Sequence, residues 1–148
     1  MFCFLVLLFF VFMSGLDFVV HRVLYGYGLR FSYDWAVAYW AVYWCVFFVF
    51  SVAVGFIYWL ASGRSGRDAK VGFGLFLSVF LLSLGGLQDV LWFVFWGGGL
   101  PGDGVVWWWM PWFRVFGFWN SGLQLCLLGS VFGVVGLVWI VALGIRWD

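Results

Sequence analysis

Three side chains in this sequence could do chemistry together: Asp17, His21 and Asp89. Asp17 and His21 stand at i, i+4, so on a helix they share one face. Asp89 belongs to the run Gly85-Gly86-Leu87-Gln88-Asp89-Val90-Leu91-Trp92, where two glycines, an amide and a carboxylate interrupt an otherwise apolar stretch. A carboxyl in such surroundings is either held by a partner or put to work. Two carboxylates and an imidazole can ligate a divalent cation, and a carboxyl with few polar neighbours can act as acid or base. A ligand site built on these three would add Gln88, Trp92, Trp109, Trp112, Arg114 and Gln124. Arg114 and the amides would orient a polar head, and the rings would hold an apolar body or a cation.

Other chemistries lack their residues. No serine has a histidine within a legible motif, and Gly97-Gly98-Gly99 is a turn rather than a phosphate cradle. A single histidine argues against bis-His haem. Cys3, Cys45 and Cys126 lie far apart in apolar runs without C-x-x-C spacing, so they read as small hydrophobes in helices.

The elements that must position these residues follow from composition. Of 148 residues, 67% are hydrophobic and 9% charged, and the mean hydropathy is +1.13. A soluble domain carries roughly 25% charged residues. This chain has too few polar groups to cover a water-facing surface, so lipid is its solvent. Its net charge is +1 with scattered basic residues, which excludes a nucleic-acid partner.

The expected fold is an all-α membrane protein of one domain, residues 1–148. Four transmembrane helices form a bundle, with a Trp-rich re-entrant or interfacial segment between helices 3 and 4. The spans are expected at 1–24, 35–60, 71–96 and 122–145, and the Trp-rich segment at 97–120. At about 1.5 Å per residue the first run just crosses a core of roughly 30 Å. It lacks Lys or Arg at its start and a good cleavage site after Met13-Ser14-Gly15, so it is expected to be retained rather than removed as a signal peptide. Ser32 or Asp34 is a candidate cap for the second span. Trp35, Tyr39, Trp40, Tyr43 and Trp44 then form neighbouring stripes, an aromatic belt with ring packing or an aromatic wall for an apolar ligand.

The third span carries small residues for close helix contact, Gly72, Gly74 and Ser78, before Gly85-Gly86 kinks it. Beyond the kink, Asp89 is expected on one face with Gly85, Gln88, Trp92 and Trp96. The segment 97–120 gathers Trp107, Trp108, Trp109, Trp112 and Trp119 around Pro111 and Arg114, with a short helix expected near Pro111. In the fourth span Asn120 or Ser121 is the cap, and Gly122, Cys126, Gly129, Ser130 and Gly133 make a helix-packing face.

The stretch ASGRSGRDAK, with Arg64, Arg67 and Lys70, reads as a cytoplasmic loop. Both termini are then cytoplasmic. Arg146 joins the inner side, and Arg22, Arg30 and Arg114 fall outside. Asp17, Asp34, Asp89, Asn120 and Gln124 all come to the outer half, with Asp17 and Asp89 turned toward the bundle interior.

Two accounts fit this arrangement. In one, Asp17 and Asp89 pair with Arg22, Arg114, His21 or indole N–H groups, and the Trp-rich segment is a pinned lid. The protein is then a structural or accessory subunit of a membrane complex, surrounded by lipid and associating with other subunits or with itself. In the other, it is a small intramembrane enzyme or a ligand- or cation-binding protein using Asp17, His21 and Asp89 under that lid. A proton or ion path is disfavoured, because no ionisable group continues from Asp89 toward Arg64.

Overall fold

The computed structural model describes residues 2–24, 26–28 and 33–144, together with the side chains of these residues except at 2, 24 and 33–37. The expectations that fall on Arg30, Arg146, Asp148 and a Ser32 cap lie outside them. The chain is all helical, with no strand among the described residues. Helix α1 is Phe2–Phe18, extended by a wider π-helical turn, Val19–Leu24. Then follow α2 (Tyr33–Ala61), α3 (Gly66–Leu84), α4 (Leu87–Phe95), α5 (Pro111–Phe116) and α6 (Ser121–Leu143). Since α2 begins at Tyr33, Asp34 lies within the helix rather than ahead of it. Three stretches are long and apolar enough to cross a membrane, Cys3–Val23, Ala38–Ala61 and Ser121–Leu143; there are four if α3 and α4 together are one bent span.

Helices α2 and α3 form a tight hairpin. Gly55 and Gly72 let their backbones touch: a Cβ on Gly55 would lie 2.5 Å from the Gly72 carbonyl oxygen, and one on Gly72 2.7 Å from that of Gly55. The third helix starts at Gly66, earlier than the expected 71. The reason is a capping box. The Ser65 hydroxyl accepts from the Asp68 N–H at 3.2 Å, and the Asp68 carboxylate accepts from the Ser65 N–H at 2.9 Å.

The expected kink is a full break. α3 and α4 meet at 62°. Gly86 takes a left-handed conformation, φ +69°, which stops the helical path at little cost only for glycine. The Gly85 carbonyl, which in an unbroken helix would accept from the Asp89 N–H, instead accepts from Gln124 Nε2 of α6 at 2.6 Å. Gly85 is therefore not on the helical face that carries Asp89, as a continuous span would have had it. Trp96, at the end of α4, turns to α1, where its indole donates to Ser14 Oγ at 3.1 Å and its ring lies against Gly15.

The core joins Phe10 and Met13 of α1, Tyr43, Phe47 and Val54 of α2, and Leu75 and Val79 of α3. Helix α6 packs along α3 through Gln124, Leu128 and Ala142, and Trp139 donates to Ser78 Oγ at 3.0 Å. The small-residue face expected on this helix is turned away from α3. Cys126, Gly129, Ser130 and Gly133 lie on the opposite side and are exposed, and among the described residues nothing outside the helix's own backbone approaches within 4 Å of where a Cβ on Gly129, Gly133 or Gly136 would sit. Only Gly122 of that set is tucked in, beside Asp103 and Asn120.

Residues 97–120 fold on themselves around Trp107, which is fully buried. Its backbone N–H donates to the Trp119 carbonyl at 2.8 Å, and Met110 and Trp119 close the cluster. Asn120 caps α6, accepting from the Leu123 N–H at 3.0 Å, and its amide donates to the Asp103 carbonyl at 2.9 Å. Ser121 donates to the Pro101 carbonyl at 2.6 Å.

Candidate functional site

Asp17 is where the spans' charge is best held. Its carboxylate accepts from Tyr39 Oη at 2.8 Å and pairs with His21 Nδ1 at 2.9 Å. The same nitrogen faces the Asp17 carbonyl oxygen at 3.2 Å. Both partners are acceptors, so Nδ1 carries the hydrogen and Nε2 is the ring's other valence. A carboxylate within a span costs about 2.5–3.5 kcal/mol on insertion scales. Hydrogen bonds to an ionised group return about 1.5–3 kcal/mol each. Two of them offset the burial of Asp17, which is 8% exposed.

The arginines do not take the role that the sequence suggested. Among the described residues the close contact between a basic and an acidic side chain is Asp17–His21, an ion pair when the imidazole is protonated. Arg22 instead lies over the Trp92 ring at 6.0 Å from its centroid, the outer limit of a cation–π contact. Arg114 is exposed on α5 and pairs with neither aspartate.

Asp89 sits at the start of α4, partly buried. Trp92, one turn further along α4, packs against Phe18, the neighbour of Asp17 in the chain, with ring centroids 5.8 Å apart. The two carboxyls therefore share one end of the molecule, opposite the turn between α2 and α3. Asp89, Gln88 and Ser83 face Trp40, Tyr43, Trp44 and Phe47 of α2 across a cavity of about 30 Å³. A larger depression, about 340 Å³, lies at the far end beside Arg67, Lys70 and Val141–Gly144 and includes no candidate residue.

The other candidates are dispersed. Gln124, wholly buried, uses both ends of its amide: Oε1 accepts from Trp119 Nε1 at 2.9 Å while Nε2 holds the Gly85 carbonyl. It ties the helix break to the Trp-rich segment and is engaged within the protein. Trp112 packs beside Trp119, with ring centroids 6.2 Å apart. Trp92 lies among Phe18 and Phe93. Among the described residues no group of three His, Cys, Asp or Glu side chains is placed to hold a metal ion, so the grouping of Asp17, His21 and Asp89 as ligands of a divalent cation is not carried forward.

Sequence reasoning missed Tyr39 and Tyr43 as polar partners. Tyr43 donates to the Met13 carbonyl at 3.3 Å. Both tyrosines were legible as an aromatic stripe, but their hydroxyls find α1 only through the register of two helices, which spacing within one helix does not set. Among the described residues three buried donors have no hydrogen-bond partner: Gln88 Nε2, Trp92 Nε1 and Trp107 Nε1. Comparison with protein-family models, with curated proteins and with solved structures found no match for this chain.

Proposed function

We propose that this chain is a structural or accessory membrane subunit that assembles with other transmembrane helices or with copies of itself. The observation that carries this reading is α6. Only 6% of its most apolar stretch is buried inside the chain. Its uncovered side bears Cys126, Gly129, Ser130, Gly133 and Gly136, small residues that offer lipid little to pack against but let a second helix approach closely. The polar groups of the spans support the same reading, since Asp17 and Gln124 are engaged within the protein and the cavity beside Asp89 is too small for a substrate.

In this reading α3 and α4 act as one bent span, which completes four crossings. The Trp-rich segment lies at the outer interface, and both termini are cytoplasmic. Extraction in a mild detergent tests the reading. A particle heavier than one 17.0 kDa chain, or one that retains other membrane proteins in fixed ratio, is expected. A monodisperse single chain overturns it.

A ligand-binding role is the second reading, and the buried indole N–H groups of Trp92 and Trp107 favour it, because each could donate to a polar head. Here Asp89 and Gln88 contact the ligand, Asp17 and His21 support them, and the tryptophans form its roof. Asp89→Asn separates the readings: loss of a co-purifying ligand with folding intact supports the second, and loss of folding alone supports the first.

A further inference from the structure

We infer that the depression between the start of α3 and the end of α6 is a binding site for the headgroup of an acidic phospholipid. The inference rests on the membrane crossings proposed above, but not on the association proposed for α6. The depression measures about 340 Å³ and joins two surfaces of different chemistry. On α3, Arg67 and Lys70 stand at i, i+3 and share one helix face. Both are exposed, and among the described residues neither has an ion-pair partner within 4.0 Å. The carboxylate beside them in sequence, Asp68, is outside the lining. It is held at the α2–α3 turn, where it accepts from the Ser65 N–H at 2.9 Å and from Ser65 Oγ at 2.7 Å and lies 3.4 Å from where a Cβ on Gly63 would sit. On α6, the lining is Val141–Gly144; Val141 is 78% exposed and Leu143 46%. Further in, the two helices close up: a Cβ on Gly74 would lie 3.5 Å from Ala142 Cβ and 3.8 Å from Val138 Cγ1. The depression is therefore confined to the helix ends.

Charge and position together select the occupant. A guanidinium and an ammonium on one face suit a phosphate group, which accepts from both. Residues 145–148 add one arginine and one aspartate, so the composition of this end stays basic. A soluble anion would leave Val141 and Leu143 facing water, whereas a phospholipid brings acyl chain to cover them. The ends of α3 and α6 are also where two crossings meet the headgroups. The basic α2–α3 turn puts them in the cytoplasmic leaflet, which carries the anionic lipids, and a basic pocket between helices on that side suits an acidic headgroup.

The test uses the full chain in nanodiscs of phosphatidylglycerol and phosphatidylcholine in equal amounts with the same acyl chains, released for native mass spectrometry. Preferential retention of phosphatidylglycerol by the unaltered chain is expected. A basic residue near an acidic surface is worth about fivefold in affinity, so Arg67→Gln with Lys70→Gln should weaken binding by about 25-fold in a phosphatidylglycerol titration. Arg64→Gln, in the same turn but outside the lining, is the control. Equal retention of the two lipids by the unaltered chain overturns the inference, however the variants fold. A loss in Arg64→Gln as large as in the double variant also overturns it, by assigning the effect to diffuse charge. Displacement of the lipid by inorganic phosphate does so too, by assigning the site to a soluble anion. The same spectra count chains. A single chain that keeps its lipid contradicts the association of α6 and supports this inference, and an assembly with no lipid preference does the reverse.

Discussion

Gln124 is the residue on which most of the architecture converges. It spans from α6 to the Gly85 carbonyl and to the Trp119 indole, so one amide fixes the helix break and the Trp-rich segment together. Gln124→Leu keeps the bulk and strands both partners. Leaving a buried group unsatisfied costs about 1–3 kcal/mol, so a loss of about 2–4 kcal/mol is expected in reversible unfolding by denaturing detergent. An unchanged midpoint would mean that water or a neighbour replaces the amide. The Asp17–Tyr39 bond makes a second prediction. In a double-mutant cycle, Asp17→Asn with Tyr39→Phe should show a coupling of about 1–2 kcal/mol, and additive effects would show that the bond contributes nothing. Some of this was readable in the chain. Asp17 and His21 at i, i+4 declare each other, because one helix fixes their spacing. Tyr39 was not readable as the partner of Asp17, and Arg22 and Arg114 were the obvious guesses by charge. A hydroxyl can replace an arginine when the register between α1 and α2 brings it to 2.8 Å.

At the scale of elements, the bent pair α3–α4 shows both what hydropathy carries and what it omits. Its position and the Gly85-Gly86 interruption follow from residue types. The 62° angle does not, since it depends on a left-handed Gly86 and on a bond from another helix. The start of α3 was legible but passed over. Ser65-Gly66-Arg67-Asp68 has the spacing of a capping box, yet its charges made it read as loop. Ser65→Ala should lower stability by about 1 kcal/mol and expose the first turn of α3 to hydrogen exchange; an unchanged exchange rate at 66–69 would deny the cap that role. The α2–α3 hairpin gives the strongest prediction at this scale. Gly55→Ala places a methyl group against the Gly72 backbone, where no flexible side chain can yield. Overpacking of this kind costs about 1–3 kcal/mol, and the unfolding midpoint should fall accordingly. No change would mean that the two helices are further apart than described.

Over the whole molecule, composition points to a helical protein suited to lipid, and the structure has three helices, or four with the bent pair, long and apolar enough to cross a membrane. Which helix lies on which was not encoded in any one segment. The small-residue run of α6 is legible as a helix-packing face, but its direction is not: it points away from α3, where Ala142 and Val138 lie by Gly74 instead. Orientation gives a prediction at this scale. Gly63→Cys, in the turn next to Arg64 and Arg67, should react with an impermeant maleimide only when the cytoplasmic face of vesicles is exposed, with the native cysteines replaced by alanine. Labelling from the opposite face would invert the topology. The account as a whole rests on α6 meeting another helix. The most direct measurement is the protein mass per particle in native lipid nanodiscs for the unaltered chain and for Gly133→Leu, at a position where an added Cβ meets none of the described residues within 4 Å. The account predicts a protein mass per particle above the 17.0 kDa of one chain, falling toward one chain in the variant with its unfolding midpoint unchanged. A single-chain mass for both, or an assembly indifferent to the leucine, would contradict it.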